Sequence, residues 1–124
     1  MASAKDFSNL KYISLETYRK SGAAVPTPVW LIEDGGLVYV RTDPKSGKAK
    51  RIRRNPKVRI APSDARGKTL GPYVDGEARF VEGEDAQRIM RVIKKKYGIL
   101  GAIVDFFNGL RGNRPTAVIS IRLA

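Results

Sequence analysis

The chain has 124 residues, a formal net charge of +12, and neither cysteine nor histidine. Its length predicts one domain over residues 1–124. The missing residue types exclude disulfides, thiol nucleophiles and imidazole bases, so chemistry must come from other side chains or a bound cofactor, and we predict no metal site. There is no run of about 18 apolar residues and no apolar signal core, which predicts a cytoplasmic protein without a membrane span.

Alternating and apolar segments predict six short strands. The first should be half-buried, with Ser14, Glu16 and Tyr18 on its polar face. The second carries Pro26 and Pro28 two positions apart, so both missing N–H groups fall on one side, as at a sheet edge or a side facing a ligand. The predicted strands are Tyr12–Arg19, Ala24–Ile32, Leu37–Thr42, Lys57–Pro62, Tyr73–Val81 and Thr116–Leu123.

Helical signals occur in three places. A short helix is predicted over Lys48–Asn55, and an amphipathic helix over Ala86–Tyr97 that Gly98 should cap. Ile99–Leu110 is apolar almost all round, which predicts a second helix buried in the core or in a dimer interface. Short strands with hairpin turns, and two helices before the last strand, indicate a mainly β (α+β) protein built as a small barrel.

The most distinctive stretch is a basic turn, Arg41–Arg59, with nine cations and one acid, Asp43. Backbone N–H groups at Ser46-Gly47, the serine hydroxyl and the Lys48 ammonium suit a terminal phosphate. The other anionic partners that this positive charge could bind are nucleic acids and membranes. The aromatic residues do not interleave with the turn, and no nucleic-acid-binding motif is legible, so we expect no specific nucleic acid partner.

The proline-bearing strand should lie beside this turn. Its side without N–H donors offers a flat surface to a planar ring along Pro26-Thr27-Pro28-Val29. The pattern therefore predicts a cofactor groove with a phosphate end and a ring end. Trp30, which follows directly, is interpreted as a core residue.

Several motifs resemble the pyridoxamine 5′-phosphate oxidase-like split β-barrel superfamily, and more narrowly its flavin/deazaflavin oxidoreductases that use coenzyme F-420. They cover nearly the whole chain. They are Lys11-Tyr12, Pro26-Thr27-Pro28-Val29-Trp30, Tyr39-Val40-Arg41-Thr42, Ser46-Gly47-Lys48, Arg53-Arg54-Asn55-Pro56, Gly76-Glu77-Ala78-Arg79, Lys95-Lys96-Tyr97-Gly98 and the Arg-Gly-x-Arg-Pro run at Arg111–Pro115.

The resemblance implies a six-stranded split β-barrel of the FMN-binding type and a homodimer with the cofactor at the subunit interface. It implies no dedicated catalytic residue, because the cofactor ring carries the hydride. The cofactor-binding residues it implies are Ser46, Gly47, Lys48 and Arg51 at the phosphate end, and Thr27, Pro28, Val29, Arg41 and Thr42 at the ring end. Lys50 is added to the predicted site because it belongs to the surplus of positive charge beyond one phosphate.

The resulting hypothesis is an oxidoreductase that uses F-420 for hydride transfer to an unidentified small substrate. The deazaflavin tail is more anionic than the end of FMN, and cations beyond one phosphate site favour it. Two alternatives are an FMN-binding oxidoreductase or flavin carrier, and a non-catalytic nucleic-acid-binding β-barrel.

Overall fold

The computed structural model describes residues 3–109 and 117–124, with side chains described for residues 3–97 and 117–124. The predicted burial of Ile99–Leu110 and the motif at Arg111–Pro115 therefore lie outside the described side chains. After a 3-10 turn at Ala4–Phe7, the elements are β1 (Tyr12–Tyr18), β2 (Ala24–Trp30), β3 (Ile32–Asp34), β4 (Leu37–Thr42), α1 (Gly47–Arg54), β5 (Lys57–Ser63), β6 (Val74–Val81), α2 (Gly83–Gly109) and β7 (Ala117–Leu123).

The strands form one antiparallel sheet in the order β2-β1-β5-β6-β7-β4-β3. The sheet curls until β2 and β4 approach each other, although the two strands are not paired. We call this gap between β2 and β4 the split. The mainly β, split-barrel prediction is confirmed, and β2 lies at a sheet edge as Pro26 and Pro28 indicated.

Apolar side chains on the inner face of the curled sheet form the main core. Because successive side chains in a strand point to opposite faces, every second residue contributes. Burying each of these side chains stabilises the fold by about 1.5–3 kcal/mol. The largest fully buried ones on this face include Ile13, Leu15, Ile60, Ile119 and Ile121.

A second cluster lies between α2 and the outer face of the sheet. Ile89, Ile93 and Tyr97 recur at helical spacing and pack against Tyr39 of β4 and Val118 of β7. This confirms the predicted amphipathic helix and leaves β4 and β7 buried on both faces. The helix does not end at Gly98 as predicted but continues as one element. A single glycine inside a helix costs about 1 kcal/mol relative to alanine, too little to end it.

Among residues 3–109 and 117–124 the sheet has seven strands, whereas six were predicted. The additional strand, β3, arises because Leu31 interrupts the predicted segment Ala24–Ile32. Residues before Leu31 pair with β1 and residues after it pair with β4. The chain therefore passes from one edge of the sheet to the other at this residue, and Gly35-Gly36, both with positive φ, close the β3–β4 hairpin.

The prediction that β1 has a solvated polar face is wrong. Ser14 is only 1% exposed and Glu16 only 6% exposed. The Ser14 Oγ lies 2.8 Å from the Tyr73 hydroxyl oxygen. Glu16 Oε1 accepts hydrogen bonds from Arg59 Nε at 2.8 Å and Nη2 at 2.6 Å, and the Arg59 guanidinium lies over the Tyr73 ring. Side chains from β5 and from the segment before β6 thus cover this face.

The Tyr97 hydroxyl fixes α2 on the junction between β2 and β3. It accepts a hydrogen bond from the Leu31 backbone N–H at 2.8 Å, and it lies 2.6 Å from the Leu31 carbonyl and 2.8 Å from the Lys11 carbonyl. Lys96 Nζ donates to the Leu31 and Leu10 carbonyls. Burial raises the pKa of Tyr97 to about 12, so the hydroxyl stays protonated and can donate at neutral pH.

Replacing Tyr97 with Phe is expected to destabilise the protein by about 1–3 kcal/mol, because the buried Leu31 N–H loses its acceptor while the ring stays packed. Urea denaturation monitored by circular dichroism measures this change. Tyr12→Phe is the matched control, since the Tyr12 hydroxyl makes no hydrogen bond with the described residues. Equal stability of the two variants would show that the Tyr97 hydroxyl does not fix α2.

Candidate functional site

The described residues offer neither a metal site nor a membrane span. No group of three or more Asp and Glu side chains lies close enough together within residues 3–97 and 117–124 to hold a metal ion. In the same part of the chain, no helix is long and apolar enough to cross a membrane. Cavities and charge clusters are the remaining candidates for a site.

The start of α1 is built by short polar contacts. Ser46 is the N-cap, and its Oγ accepts a hydrogen bond from the Ala49 backbone N–H at 3.2 Å. The Thr42 Oγ1 lies 3.1 Å from the same oxygen, which ties the end of β4 to the helix. No acidic residue occupies the first turn of α1, so no side chain there offsets the positive end of the helix dipole.

Arg51 folds back over this helix start. Its Nε donates a hydrogen bond to Thr17 Oγ1 of β1 at 2.6 Å. A Cβ atom added at Gly47 would lie only 2.8 Å from Arg51 Nη1. The glycine, which does not have a positive φ, thus leaves space for the guanidinium, and a larger residue would make the flexible end of Arg51 shift.

Cations crowd each other at this helix start. The pKa of Lys48 lies below its usual value because burial disfavours the ammonium and because Arg51 is near, with Asp43 opposing the shift. Burial also lowers the pKa of Arg51, and the charges of Arg19 and Arg54 lower it further. The local excess of positive charge is thus unfavourable in the protein alone, and a bound anion would relieve it.

An aromatic cavity of about 270 Å³ lies at the split beside α2. Its lining residues come from β1, β2, β4 and α2: Tyr12, Pro28, Val29, Trp30, Arg41, Ile93 and Tyr97. The Trp30 ring stacks on the Tyr97 ring at 4.5 Å between centroids and 9° between planes, and meets the Tyr12 ring edge-on at 6.5 Å. The interpretation of Trp30 as a simple core residue is wrong, because it is partly exposed and forms a cavity wall.

The structure divides the predicted site residues into two groups along the split. Three of them line the aromatic cavity: Pro28, Val29 and Arg41. Five lie at or beside the start of α1: Thr42, Ser46, Gly47, Lys48 and Arg51. Thr27 lies on β2, partly exposed, between the cavity residue Val29 and Val25, which pairs with Thr17. Lys50 is exposed on α1. Their roles in cofactor binding stay predictions.

Sequence reasoning missed Thr17 and the aromatic walls of the cavity. Thr17 matched the alternation of a strand, and Tyr97 matched the apolar face of a helix, so neither residue stood out. The one usable signal was the pairing of the first two strands, which places Tyr12 opposite Trp30. The contact of either residue with α2 depends on how the chain packs and leaves no mark in the local sequence.

A larger cleft, of about 610 Å³, lies elsewhere and contains none of the predicted site residues. Its charged lining mixes Lys57 and Arg122 with Asp75 and Glu77. Because the acids offset the cations, this cleft does not favour an anionic cofactor as the start of α1 does. Volume alone therefore does not identify the site.

Comparisons with known proteins agree with the fold. The family model described as pyridoxamine 5′-phosphate oxidase matches residues 2–124. No curated protein sequence gives a significant match. The heme storage protein HutZ from Vibrio cholerae is 18% identical with a TM-score of 0.68, over 97% of this chain and 87% of that chain.

Two further solved structures share the same fold. An F420-H2 dependent reductase is 19% identical with a TM-score of 0.64, over 90% of this chain and 94% of that chain. A FAD-binding protein from Mesorhizobium loti is 15% identical with a TM-score of 0.63, over 96% of this chain and 83% of that chain. At these identities the structural similarity supports the fold alone.

Replacing Lys48 with Met is expected to stabilise the protein in anion-free buffer by on the order of 0.5–1 kcal/mol, because Met keeps the apolar stem without the disfavoured ammonium. The pKa of Lys48 is lower in the folded than in the unfolded chain, so its protonation favours unfolding. This destabilisation is full below the folded pKa and disappears as the pH rises past the unfolded value of 10.5.

Urea denaturation at neutral pH and near pH 10 measures this effect, and the difference between wild type and Lys48→Met should shrink at the higher pH. Lys50→Met is the matched control, because Lys50 is exposed on the same helix and its replacement should change stability by less than about 0.5 kcal/mol. If Lys48→Met were less stable than wild type at neutral pH, the inference that cations crowd each other unfavourably at the start of α1 would be wrong.

Proposed function

The chain belongs to the pyridoxamine 5′-phosphate oxidase family, and from this premise we propose that it is an oxidoreductase that binds F-420 along the split. The observation that carries the proposal is the arrangement of a cationic helix start and an aromatic cavity along one gap in the barrel. A cofactor with an anionic end and a planar ring matches both ends of this gap.

The start of α1 fits the anionic end of such a cofactor. Ser46 Oγ, the Lys48 ammonium and the Arg51 guanidinium are grouped there, and the pKa of both cations is lowered. A phosphate would restore favourable electrostatics and accept charge-assisted hydrogen bonds from these groups. The fit therefore rests on the hydrogen-bond donors of these side chains and on the unfavourable excess of positive charge that a phosphate would offset.

The aromatic cavity fits the planar end. Pro28 and Val29 offer an apolar strand surface, and Trp30 with Tyr97 offers a flat stacked wall. The volume of about 270 Å³ lies below the roughly 300–1,000 Å³ of pockets that enclose whole ligands. The cavity therefore suits one part of a larger molecule, with the remainder extending along the split.

When bound, the deazaflavin ring supplies the hydride chemistry. The chain itself binds and orients the ring and keeps water from one side of it, which agrees with a sequence that lacks His and Cys. The apolar lining favours a small, apolar, unsaturated substrate next to the ring. The proposal needs no dedicated catalytic acid from this chain.

F-420 is favoured over FMN by the surplus of positive charge on α1. Beyond Lys48 and Arg51, this helix carries Lys50, Arg53 and Arg54, and all three are exposed. The phospholactyl-glutamate tail of F-420 carries more negative charge than the end of FMN and can use such cations. An FMN-binding oxidoreductase or flavin carrier is the second candidate, because the family and the ring end of the split do not separate the two cofactors.

We also propose a homodimer in which a second copy completes the cofactor groove. The aromatic cavity of one copy is smaller than a pocket for a whole ligand, so one copy encloses only part of the cofactor. Sedimentation at micromolar concentration should therefore show a dimer, and bound cofactor should strengthen it. A stable monomer with full cofactor affinity would contradict an intersubunit groove.

Titrating F-420 and FMN side by side tests the proposal. Trp30 is the chain's only tryptophan and lines the aromatic cavity, so its fluorescence should fall as a ring binds there. We expect tighter binding of F-420. Lys48→Ala should weaken cofactor binding about ten- to more than a hundredfold, the equivalent of a charge-assisted hydrogen bond of roughly 1.5–3 kcal/mol.

Lys50→Ala is the matched control and should weaken binding less, because Lys50 is exposed and adds mainly screened attraction. At saturating cofactor, the hydride step should be almost unchanged in both variants. If Lys50→Ala weakens binding and Lys48→Ala does not, the phosphate has been assigned to the wrong part of α1. If neither cofactor binds wild type, the proposed function is wrong.

A further inference from the structure

Thr17 on β1 is a buried polar residue that lies outside the set of predicted site residues. Its side chain is fully buried, with 0% exposure, on the inner face of the sheet. It pairs with Val25 of β2, at the opposite end of that strand from the aromatic cavity. Its Oγ1 accepts a hydrogen bond of 2.6 Å from Arg51 Nε. A buried hydroxyl thus holds a cation at the edge of the split.

The hydrogen bond from Nε leaves the outer part of the Arg51 guanidinium available. Neither Nη atom donates a hydrogen bond to the described residues. Guanidinium groups commonly bind phosphates through two parallel N–H donors, and their planar geometry makes orientation decisive. Because Nε is anchored, the remaining N–H donors of the guanidinium keep one orientation. An arginine without such an anchor must lose rotamer entropy on binding.

Gly47 is the second constraint on the same guanidinium. A Cβ at this position would lie 2.8 Å from Arg51 Nη1, closer than real Cβ contacts allow. Because Nη1 is the end of a flexible side chain, a Cβ at this position would displace the guanidinium from its place over the first residue of α1. Thr17 holds the guanidinium by a hydrogen bond, and Gly47 leaves the space in which it lies.

We propose that Thr17 is a positioning residue for the anionic end of the cofactor, acting through Arg51. The inference rests on the proposed function, since it assigns the guanidinium to the same anion. Its rival is a purely structural role, in which the bond between Thr17 and Arg51 only attaches α1 to β1. If Thr17 is a positioning residue, its loss lowers cofactor affinity only when Arg51 is present, and independently of stability. If its role is purely structural, affinity does not change in this way.

Thr17→Val is the central variant, because it keeps the shape of the side chain and removes the acceptor. We expect its affinity for F-420, or for FMN if that cofactor binds, to fall about three- to tenfold, the effect of releasing one preorganised side chain. Thr17→Ser keeps the hydroxyl and should retain most of the affinity. Binding is measured by Trp30 fluorescence, and each variant's thermal midpoint is measured without cofactor.

A double-mutant cycle separates positioning from structure. In an Arg51→Ala background, Thr17→Val should cause no further loss of affinity, because the residue it positions is gone. Gly47→Ala gives a second measurement: alanine favours the helix, so stability should hold or rise while affinity falls, again only when Arg51 is present. This variant also serves if Thr17→Val does not fold.

The experiments distinguish failure of the positioning role from failure of the proposed function. If wild type binds a cofactor and Lys48→Ala weakens it, but Thr17→Val and Gly47→Ala bind like wild type, the positioning role is overturned and the proposed function stands. Equal losses of affinity with and without Arg51 would also overturn it. If wild type binds neither cofactor, both proposals fail.

Discussion

The Tyr97 hydroxyl is the contact on which the geometry of the barrel and its cavity depends. It lies against the Leu31 backbone, at the one residue where the chain leaves β2 and begins β3 on the opposite edge of the sheet. The same contact places the Tyr97 ring against Trp30. A single side chain therefore attaches α2 to the junction between β2 and β3 and also forms part of one wall of the cavity.

Stability and binding make opposing demands at the start of α1. Burial and neighbouring cations disfavour the charged forms of Lys48 and Arg51 in the protein alone. Elsewhere the chain pairs its buried charge, as Glu16 and Arg59 show with two hydrogen bonds. Unfavourable charge that is left in place beside a gap is typical of sites where function, and not stability, has selected the residues.

Much of the fold could be predicted because it depends on local pattern. Alternation predicted the long strands to within a few residues, and Pro26 with Pro28 predicted an edge. The short helix predicted over Lys48–Asn55 is observed at Gly47–Arg54, with Ser46 of the predicted turn as its N-cap. These features follow from neighbouring residues, whose relative positions the chain itself fixes.

Features built by distant residues could not be predicted in the same way. The aromatic cavity joins Trp30 to Tyr97, and the contact between Thr17 and Arg51 spans 34 positions. Alternation predicts a solvated face of β1 at Ser14 and Glu16 because both are polar, yet Tyr73 and Arg59 cover them. In each case the deciding partner comes from another element, and hydrogen bonding reverses what polarity alone suggests.

Both edges of the open sheet are poorly suited to pairing with a further strand, and this affects association with other chains. At one edge, β2 exposes Pro26 and Pro28, which cannot donate to an incoming strand. At the other, β3 is only three residues long. Short or proline-bearing edges resist the addition of foreign strands. Such strand addition is a common route to aggregation. An open barrel of this kind can therefore keep a gap for a ligand without becoming a template for uncontrolled sheet growth.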